Sequence, residues 1–295
     1  MCDMLARPEK QKFSTVFETT HLRIGCCSMQ GWRKTMEDAH VAQLNLNGKK
    51  TRAFFAVFDG HQSDEAAHYC RAHMLDEVIK AINNTNGEYK QSFENAFHAI
   101  DEQICRRFPS SGTAANCVLL MDRKIICANV GDSRAVLFSD GKAIPLSTDH
   151  KPTLPDEEAR IRRAGAQVEN GRVNMTLAVS RALGDVDFKT NKALSWKEQA
   201  VTSLPDVTQY EIQKTAELII LGCDGVWDVL SNQDCCLLAH RLLHDNETKD
   251  SNSVDISLVC EQILDICIAQ SNTARVGTDN MTIIIVEFKE PFLHQ

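Results

Sequence analysis

Two Asp-Gly pairs in this chain each follow an apolar run of strand length. Asp59-Gly60-His61 follows the run 53–58, and Asp224-Gly225 follows the run 217–223. A carboxylate at the end of a buried strand is costly without a partner, and carboxylate oxygens are the ligands that Mg²⁺ and Mn²⁺ prefer. Glycine lets backbone approach a ligand closely, and histidine exchanges protons near neutral pH. Together these pairs predict a divalent-cation site.

The simpler interpretation of each pair is a strand followed by a tight turn. We accept that interpretation for Asp140-Gly141, because polar residues flank it on both sides. For Asp59 and Asp224 the recurrence of the same arrangement after two buried runs favours a site.

Composition predicts an intracellular, soluble protein of the cytoplasm or nucleus. The 295 residues are 43% hydrophobic and 24% charged, with a net charge of −8, which disfavours nucleic acid and anionic membranes as partners. No apolar run approaches the roughly 18 residues of a membrane span, and the start lacks the apolar core of a signal peptide. The 12 cysteines include no CxxC pair, so we interpret most of them as core residues in a reducing compartment.

Hydrophobic periodicity predicts the elements. Residues 1–21 are polar and indicate an arm with little structure, and residues 30–33 indicate a turn. The predicted strands cover residues 22–29, 37–46, 53–58, 114–121, 124–130, 134–138, 217–223 and 281–288.

Helical spacing predicts a first helix after Ser63 or Asp64, and a second that Ser92 caps. Others begin at Pro155, at Ser231 with Asp234 as its capping-box partner, and near Val254, the last with Val259, Ile263, Ile266 and Cys267 facing inward. Strands joined by tight turns must be antiparallel. We therefore predict a single α+β domain over residues 22–290 with a tail at 291–295, and few structural signals over 166–205.

Seven short motifs occur in an order that resembles a known family. They are Glu37-Asp-Ala39, Phe58-Asp-Gly-His61, Gly131-Asp-Ser-Arg-Ala-Val136, Asp149-His-Lys-Pro152, Ala178-Val-Ser-Arg-Ala-Leu-Gly-Asp185, Cys223-Asp-Gly-Val-Trp-Asp228 and Asp279-Asn-Met-Thr282. This pattern resembles the metal-dependent protein serine/threonine phosphatases of type 2C, the PPM family. The resemblance runs from Leu22 to Phe288.

The resemblance implies a four-layer α-β-β-α sandwich, in which helices flank two antiparallel sheets and a dinuclear metal cleft lies at one end. It implies two Mn²⁺ or Mg²⁺ ions bridged by Asp59. Glu37 and the carbonyl of Gly60 would hold one ion, and Asp224 and Asp279 the other.

The resemblance also implies roles for five further residues. Asp149 and Asp228 match positions that could hold a third ion. Arg33 matches the arginine that binds the substrate phosphate, His61 the general acid, and Asp38 an acid that orients water.

These roles describe hydrolysis of phosphoserine and phosphothreonine in phosphoproteins by metal-activated water, without a covalent intermediate. The planar fork of Arg33 can grip two phosphate oxygens, and His61 would protonate the departing alkoxide. The family default is a monomer.

Two alternatives remain at this point. A cysteine-dependent phosphatase needs Cys-x5-Arg, which occurs from Cys27 to Arg33 and from Cys117 to Arg123. The second match lies in a strand without a phosphate cradle, and nothing near Cys27 in the sequence lowers the pKa of its thiol. The other alternative is a catalytically inactive family member that acts as a phosphoprotein-binding module. Because all the matching acids are present, we favour the enzyme.

The chain departs from the family pattern in three loops, which bears on loop shape and substrate choice. The departures are Gln62-Ser63, Ala164-Gly165-Ala166 and Met175-Thr176. We interpret His150 and Trp227 as structural, and we assign no catalytic role to Ser180 or Arg181.

Overall fold

The computed structural model describes residues 4–244 and 254–293. The strands are β1 (Met4–Glu18), β2 (Leu22–Arg33), β3 (Ala39–Leu44), β4 (Arg52–His61), β5 (Gly112–Met121), β6 (Lys124–Val130), β7 (Arg134–Ser139), β8 (Lys142–Pro145), β9 (Val168–Glu169), β10 (Arg172–Val173), β11 (Leu183–Gly184), β12 (Asp206–Glu211), β13 (Ala216–Gly222) and β14 (Met281–Phe288). The helices are α1 (Glu65–Asn84), α2 (Tyr89–Arg107), α3 (Pro155–Arg163), α4 (Asp224–Trp227), α5 (Asn232–His244), α6 (Ile256–Cys267) and α7 (Glu290–Leu293). None of these helices is long and apolar enough to cross a membrane.

The strands form two antiparallel sheets. The first sheet has the order β1-β2-β14-β13-β7-β8. The second has the order β12-β6-β5-β4-β3, with β11 paired to β5. Strands β9 and β10 form a separate small hairpin. Strand β4, which carries Asp59-Gly60, and strand β13, which ends two residues before Asp224, are therefore both interior strands with a neighbour on each side.

Side chains along the central strands alternate between the two faces of each sheet, and both faces are packed, so the fold has four layers. In β4, Phe55 packs between the sheets while Phe54 packs under helices α1 and α2. In β13, Ile219 packs between the sheets while Ile220 packs under α5 and α6. Because both faces of each sheet are covered, these strands are apolar throughout. The predicted α+β sandwich of two antiparallel sheets flanked by helices is confirmed.

The prediction that the N-terminal residues have little structure was wrong. Strand β1 pairs with β2 and forms the edge of the first sheet. Lys12 donates to Asp265 at 2.8 Å, and Ser14 donates to Glu261 at 2.6 Å. These polar side chains bond to helix α6, so the segment lacks the apolar signal of a strand although its backbone completes the sheet.

Two strands also run further than predicted. Residues 30–33 are not a turn, because β2 continues to Arg33 and pairs with β1 there. Strand β4 continues through Asp59 to His61, because β5 reaches Gly112 and pairs opposite it. The Asp-Gly pair therefore lies on the last residues of a paired strand, with a fixed direction.

The helix predictions need two corrections. Helix α2 begins at Tyr89, so Ser92 lies inside it and donates to the carbonyl of Glu88 at 2.8 Å. Ile266 is 51% exposed and does not face inward, because its position lies off the stripe that contacts the first sheet. The capping partner of Ser231 is confirmed, since the Asp234 amide donates to its Oγ at 3.1 Å.

Three regions carry structure that the sequence analysis did not assign. Strand β12 adds an edge to the second sheet through β6. Residues 166–205 are mostly irregular but contain β9 and β10 and part of a small core around Ile161 and Val201. Phe292, in the predicted tail, is buried in the core between the sheets, and residues 294 and 295 lie outside the described part of the chain.

Candidate active site

The two facing sheets bring Asp59 and Asp224 together. Asp59 lies near the end of β4, and Asp224 begins the short helix directly after β13. Carboxylate oxygens of Asp59, Asp224 and Asp132 all lie within 4.8 Å of one another. Asp132 comes from the turn between β6 and β7. Two predicted ligands and one residue without an assigned role thus form a single acidic cluster.

The glycines beside these acids allow two loops to contact the strand ends. A Cβ added to Gly60 would lie 2.3 Å from the carbonyl oxygen of Glu37. A Cβ added to Gly225 would lie 2.1 Å from the carbonyl oxygen of Asn280. Only glycine permits these approaches. Each glycine therefore allows close contact with a loop that carries another predicted ligand. Gly60 contacts the loop with Glu37, and Gly225 contacts the loop with Asp279.

Asp38 lies buried beside the cluster with one oxygen bonded and one not. Its Oδ2 accepts a hydrogen bond from Thr282 Oγ1 at 2.7 Å. Its buried Oδ1 has no hydrogen-bond partner among the described residues. Ligand atoms of Asp38, Asp59 and Cys223 also lie within 4.8 Å of one another. Since buried polar atoms normally have partners, this oxygen fits a bound cation or its water.

The electrostatics of the cluster also fit a cation. Burial, followed by repulsion from neighbouring carboxylates, raises the pKa values of Asp59 and Asp224 well above the usual range. Burial raises the pKa of Asp38 to about 7, against the hydrogen bond from Thr282. Carboxylates this close resist ionising together unless positive charge compensates them. The Nζ of Lys151, 2.5 Å from Asp132, supplies part of that positive charge. A bound cation would supply the rest, and a set of carboxylate oxygens suits Mg²⁺ or Mn²⁺.

Arg33, Glu37 and Asp279 are linked at the rim of the cluster. The guanidinium of Arg33, the last residue of β2, donates to the carboxylate of Asp279. The side chain of Asn280 accepts from the Glu37 amide at 2.8 Å and donates to the Thr35 carbonyl at 2.9 Å. Thr35 Oγ1 also donates to Glu37 Oε1 at 2.8 Å. This network holds the two predicted ligands and the predicted phosphate-binding residue in one region.

Asp149 and Asp228 have different surroundings. Asp149 accepts two hydrogen bonds from Arg134, at 2.9 and 2.8 Å. Asp228 is exposed. Partial desolvation raises the pKa of its carboxyl, opposed by Lys151 and reinforced by Asp132. Neither belongs to the groups whose ligand atoms meet among the described residues. A third ion at these two residues stays a prediction.

His61 is held by Asp185, to which the sequence analysis assigned no role. His61 Nε2 lies 2.7 Å from Oδ2 of Asp185, and Gln62 Nε2 donates to Oδ1 at 3.2 Å. Burial would lower the pKa of His61, but the charge and hydrogen bond of Asp185 outweigh it and raise the pKa. Asp132 and Asp185 both lie in the motifs quoted above. Those motifs were the only sequence signal that could have identified them.

A family model described as protein phosphatase 2C matches residues 22–276. The chain belongs to the protein phosphatase 2C family.

Curated relatives and solved structures agree with this membership. Protein phosphatase 2C homolog 2 of Schizosaccharomyces pombe is 39% identical over 298 residues, covering 98% of this chain and 79% of that protein. The protein of the same name from Hypocrea jecorina is 40% identical over 301 residues, covering 98% and 67%. A solved phosphatase from Toxoplasma gondii superposes with a TM-score of 0.79 at 26% identity, covering 95% and 96%. This protein phosphatase 2C chain is thus similar to phosphatases over nearly its whole length.

The two cysteines of the Cys-x5-Arg matches do not have the properties of a catalytic thiolate. Cys27 and Cys117 are both fully buried. Burial raises the pKa of the Cys27 thiol to about 11, and it raises the pKa of Cys117 well above its usual value. A nucleophilic cysteine needs the opposite shift. The cysteine-dependent alternative therefore has no support in either Cys-x5-Arg match.

Residues interpreted as structural have structural partners in this family member. His150 is 2% exposed, and its Nε2 lies 3.1 Å from Asp206. Trp227 is buried in the core under α5 and α6. Arg181 donates twice to Glu157, at 3.0 and 2.7 Å. His150 thus contacts the start of strand β12, and Arg181 bonds to helix α3.

One of the departures from the family pattern lies close to the site. Gln62 has a left-handed backbone, φ 70°, and its side chain bonds to Asp185. Met175 is also left-handed, φ 61°, and is 64% exposed beside the β9–β10 hairpin. Positive φ is strained for both residues. Gln62 thus contributes to the support of His61 in this protein phosphatase 2C.

Proposed function

We propose that this family member is a metal-dependent protein serine/threonine phosphatase. It hydrolyses phosphoserine and phosphothreonine monoesters with metal-activated water and forms no covalent intermediate. The observation that carries the proposal is the convergence of Asp59, Asp132 and Asp224 within 4.8 Å, beside an unpartnered oxygen of Asp38. Such a cluster is unfavourable without a cation and suited to one.

Two Mn²⁺ or Mg²⁺ ions would be held by the residues at the two strand ends. Glu37 and the Gly60 carbonyl would hold one ion, Asp224 and Asp279 would hold the other, and Asp59 would contribute to both. When bound, the ions lower the pKa of water and offset the charge on the phosphoryl oxygens. The unpartnered Oδ1 of Asp38 would hold that water in place.

A third ion would use Asp149 and Asp228, with Asp132 as a further candidate. Asp132 lies close enough to Asp228 for its charge to raise the pKa of Asp228. Asp149 would have to exchange its contacts with Arg134 for the ion, so we expect the third ion to bind more weakly than the other two.

Arg33 binds the substrate phosphate in this proposal. Its side chain is 34% exposed and now bonds to Asp279. If Asp279 holds an ion, its carboxylate would turn from Arg33 to that ion, and the guanidinium would turn to the substrate phosphate. Its planar fork would then donate hydrogen bonds to two phosphate oxygens, a paired geometry that an ammonium group could not match.

His61 protonates the leaving oxygen of serine or threonine. Asp185 engages Nε2 and raises the pKa of the ring, which favours the protonated form at neutral pH. Nδ1 is the ring nitrogen that Asp185 does not engage, so it is the atom we assign to the transfer. Serine alkoxide is a poor leaving group and needs this proton.

The setting of the reaction follows from the same features. The substrates are phosphoproteins, and the catalytic unit is a monomeric domain over residues 22–290, to which strand β1 adds an edge. The eleven described cysteines are all free thiols, which supports a reducing, intracellular compartment in the cytoplasm or nucleus.

The test is phosphate release from a phosphothreonine peptide by metal-stripped protein, with and without Mn²⁺. We expect activity only with metal, its loss in Asp224→Asn, and its retention in Asp140→Asn, which alters the Asp-Gly pair of an exposed hairpin turn. A folded protein without activity in any metal would instead indicate an inactive phosphoprotein-binding module. A phosphoenzyme trapped by acid quench would contradict the direct attack of water.

A further inference from the structure

The turn at residues 184–189, which carries Asp185, has an unfavourable backbone conformation. Gly184 and Asp185 are both left-handed, with φ of 85° and 54°. A Cβ added to Gly184 would lie 2.3 Å from the carbonyl oxygen of Ser111, so the chain just before β5 lies directly against this turn. The left-handed conformation is uncommon for a residue with a side chain and persists where the surrounding structure imposes it. Contacts from the rest of the fold must therefore hold Asp185 in the position from which it meets His61.

Asp101 on helix α2 binds this turn on both sides of Asp185. Its Oδ1 accepts a hydrogen bond from the Gly184 amide at 2.8 Å and another from Lys189 Nζ at 2.5 Å. Lys189 Nζ also donates to the Ala182 carbonyl at 2.9 Å. The side chains of Asp101 and Lys189 are 7% and 9% exposed, so their ion pair is shielded from solvent. One carboxylate oxygen thus joins the residue before Asp185 to the residue four positions after it.

We infer that Asp101, together with Lys189, is a positioning residue for the contact between Asp185 and His61. The inference rests on the proposed function, in which His61 protonates the leaving oxygen. The contacts run from Asp101 through both ends of the turn to Asp185, whose Oδ2 lies 2.7 Å from His61 Nε2. Gly112 leaves room for this pair, because a Cβ added there would lie 2.3 Å from each of the two atoms. Loss of Asp101 would therefore misalign the proton donor.

Helix α2 makes a second ion pair with the segment that follows β11, and this pair provides a comparison. Lys197 Nζ lies 2.6 Å from Glu94 Oε2, and the Glu94 side chain is 10% exposed. Lys197 is 44% exposed and lies well beyond the turn in the sequence. Both pairs join a buried acid of α2 to a lysine of the same segment. Of the two acids, Asp101 is the one that bonds to the turn of Asp185.

The test compares two double variants of the full chain, both of which remove the buried ion pair without leaving a single charge behind. Asp101→Asn with Lys189→Met keeps an oxygen that can accept from the Gly184 amide, whereas Asp101→Ala with Lys189→Met does not. The measurement is the ratio of Mn²⁺-dependent activity on a phosphothreonine peptide to activity on p-nitrophenyl phosphate, whose leaving group needs no proton.

The alanine double variant should lower this ratio at least about tenfold, because misalignment of a general acid affects the substrate that needs its proton. The asparagine double variant should keep the ratio within about threefold of wild type, because the bond to the turn can still form. Glu94→Gln is the matched control and should leave the ratio unchanged.

A second comparison separates the positioning of His61 from a general effect on the fold. In a His61→Ala background the alanine double variant should lower the ratio no further, because residues that act as one unit are not additive. A further fall in that background, or equal losses on both substrates in the otherwise unaltered chain, would overturn the inference.

Folding of each variant is checked by its melting temperature. If the alanine double variant does not fold, Lys189→Met alone carries the test, since it removes one of the two bonds between Asp101 and the turn and should still lower the ratio. An unchanged ratio in folded protein would overturn the inference and leave the proposed function intact. A wild-type protein without metal-dependent activity would instead remove the proposed function, and this inference with it.

Discussion

His61 Nε2 and Asp185 Oδ2 are 2.7 Å apart although 124 residues separate them in the chain. Asp185 is fully buried at its side chain, whereas His61 is one-quarter exposed. Strand β11, directly before Asp185, pairs with β5 and fixes this carboxylate opposite the end of β4. The arrangement orients the imidazole from the inside of the protein.

We expect Asp185→Asn to impair proton donation more than any other step. Its activity on a phosphothreonine peptide should fall about 100-fold or more, the usual contribution of a general acid. Activity on p-nitrophenyl phosphate, whose leaving group needs no proton, should be largely retained. Asp187→Asn, at an exposed position in the following turn, is the control. Equal losses on both substrates would indicate a merely structural role for Asp185.

Asp132→Asn should weaken metal binding, because this carboxylate lies within 4.8 Å of Asp59 and Asp224. The Mn²⁺ concentration for half-maximal activity should rise roughly tenfold or more. The measurement is a Mn²⁺ titration of phosphatase activity, with Asp140→Asn as the control. An unchanged titration curve would remove Asp132 from the metal site.

Gly225→Ala should displace the loop that carries Asp279 from its contact with residue 225. The added Cβ would lie 2.1 Å from the Asn280 carbonyl, so the loop must move. We expect the free energy of unfolding in urea to fall by about 1–3 kcal/mol and the Mn²⁺ requirement to rise. Gly141→Ala has no atom within 4 Å of its Cβ and tests backbone strain alone. A variant with wild-type stability and metal requirement would show that the contact is not essential.

Glu157→Gln should lower stability at neutral pH and not at low pH. Burial acts to raise the pKa of Glu157, but Arg181 and Arg160 outweigh it and hold the pKa at about 2, below the ordinary 4.5. Because the folded pKa is lowered, the stabilisation is complete above about pH 4.5 and is lost as the pH falls toward 2. The shift corresponds to about 3 kcal/mol at pH 7.

Urea unfolding of both proteins at pH 7 and near pH 3 measures this difference, which should shrink with acid. Glu158→Gln removes a neighbouring surface ion pair with Arg162 and should cost less than about 1 kcal/mol. A Glu157→Gln penalty that is as large at low pH as at neutral pH would assign the effect to packing.

The sequence by itself determined the buried strands and indicated Asp59 and Asp224 as candidate site residues. The bounds of β6 and β14 were predicted without error, because apolar runs between turn residues indicate buried strands directly. Asp59 and Asp224 were identifiable because each ends such a run and is followed by glycine. Local periodicity also predicted the helices that cover the sheets, to within a few residues at their ends.

Tertiary structure alone decided how those residues meet. The motifs around Asp132 and Asp185 mark both residues, but they do not indicate that Asp132 joins Asp59 and Asp224 or that Asp185 holds His61. Strand β1 was missed for the same reason, since its polar side chains bond to helix α6 more than 240 residues away. Periodicity reports which face of an element is buried, whereas the partner on that face depends on how the sheets stack. The site therefore required the fold, because Asp59, Asp132 and Asp224 come from distant parts of the chain.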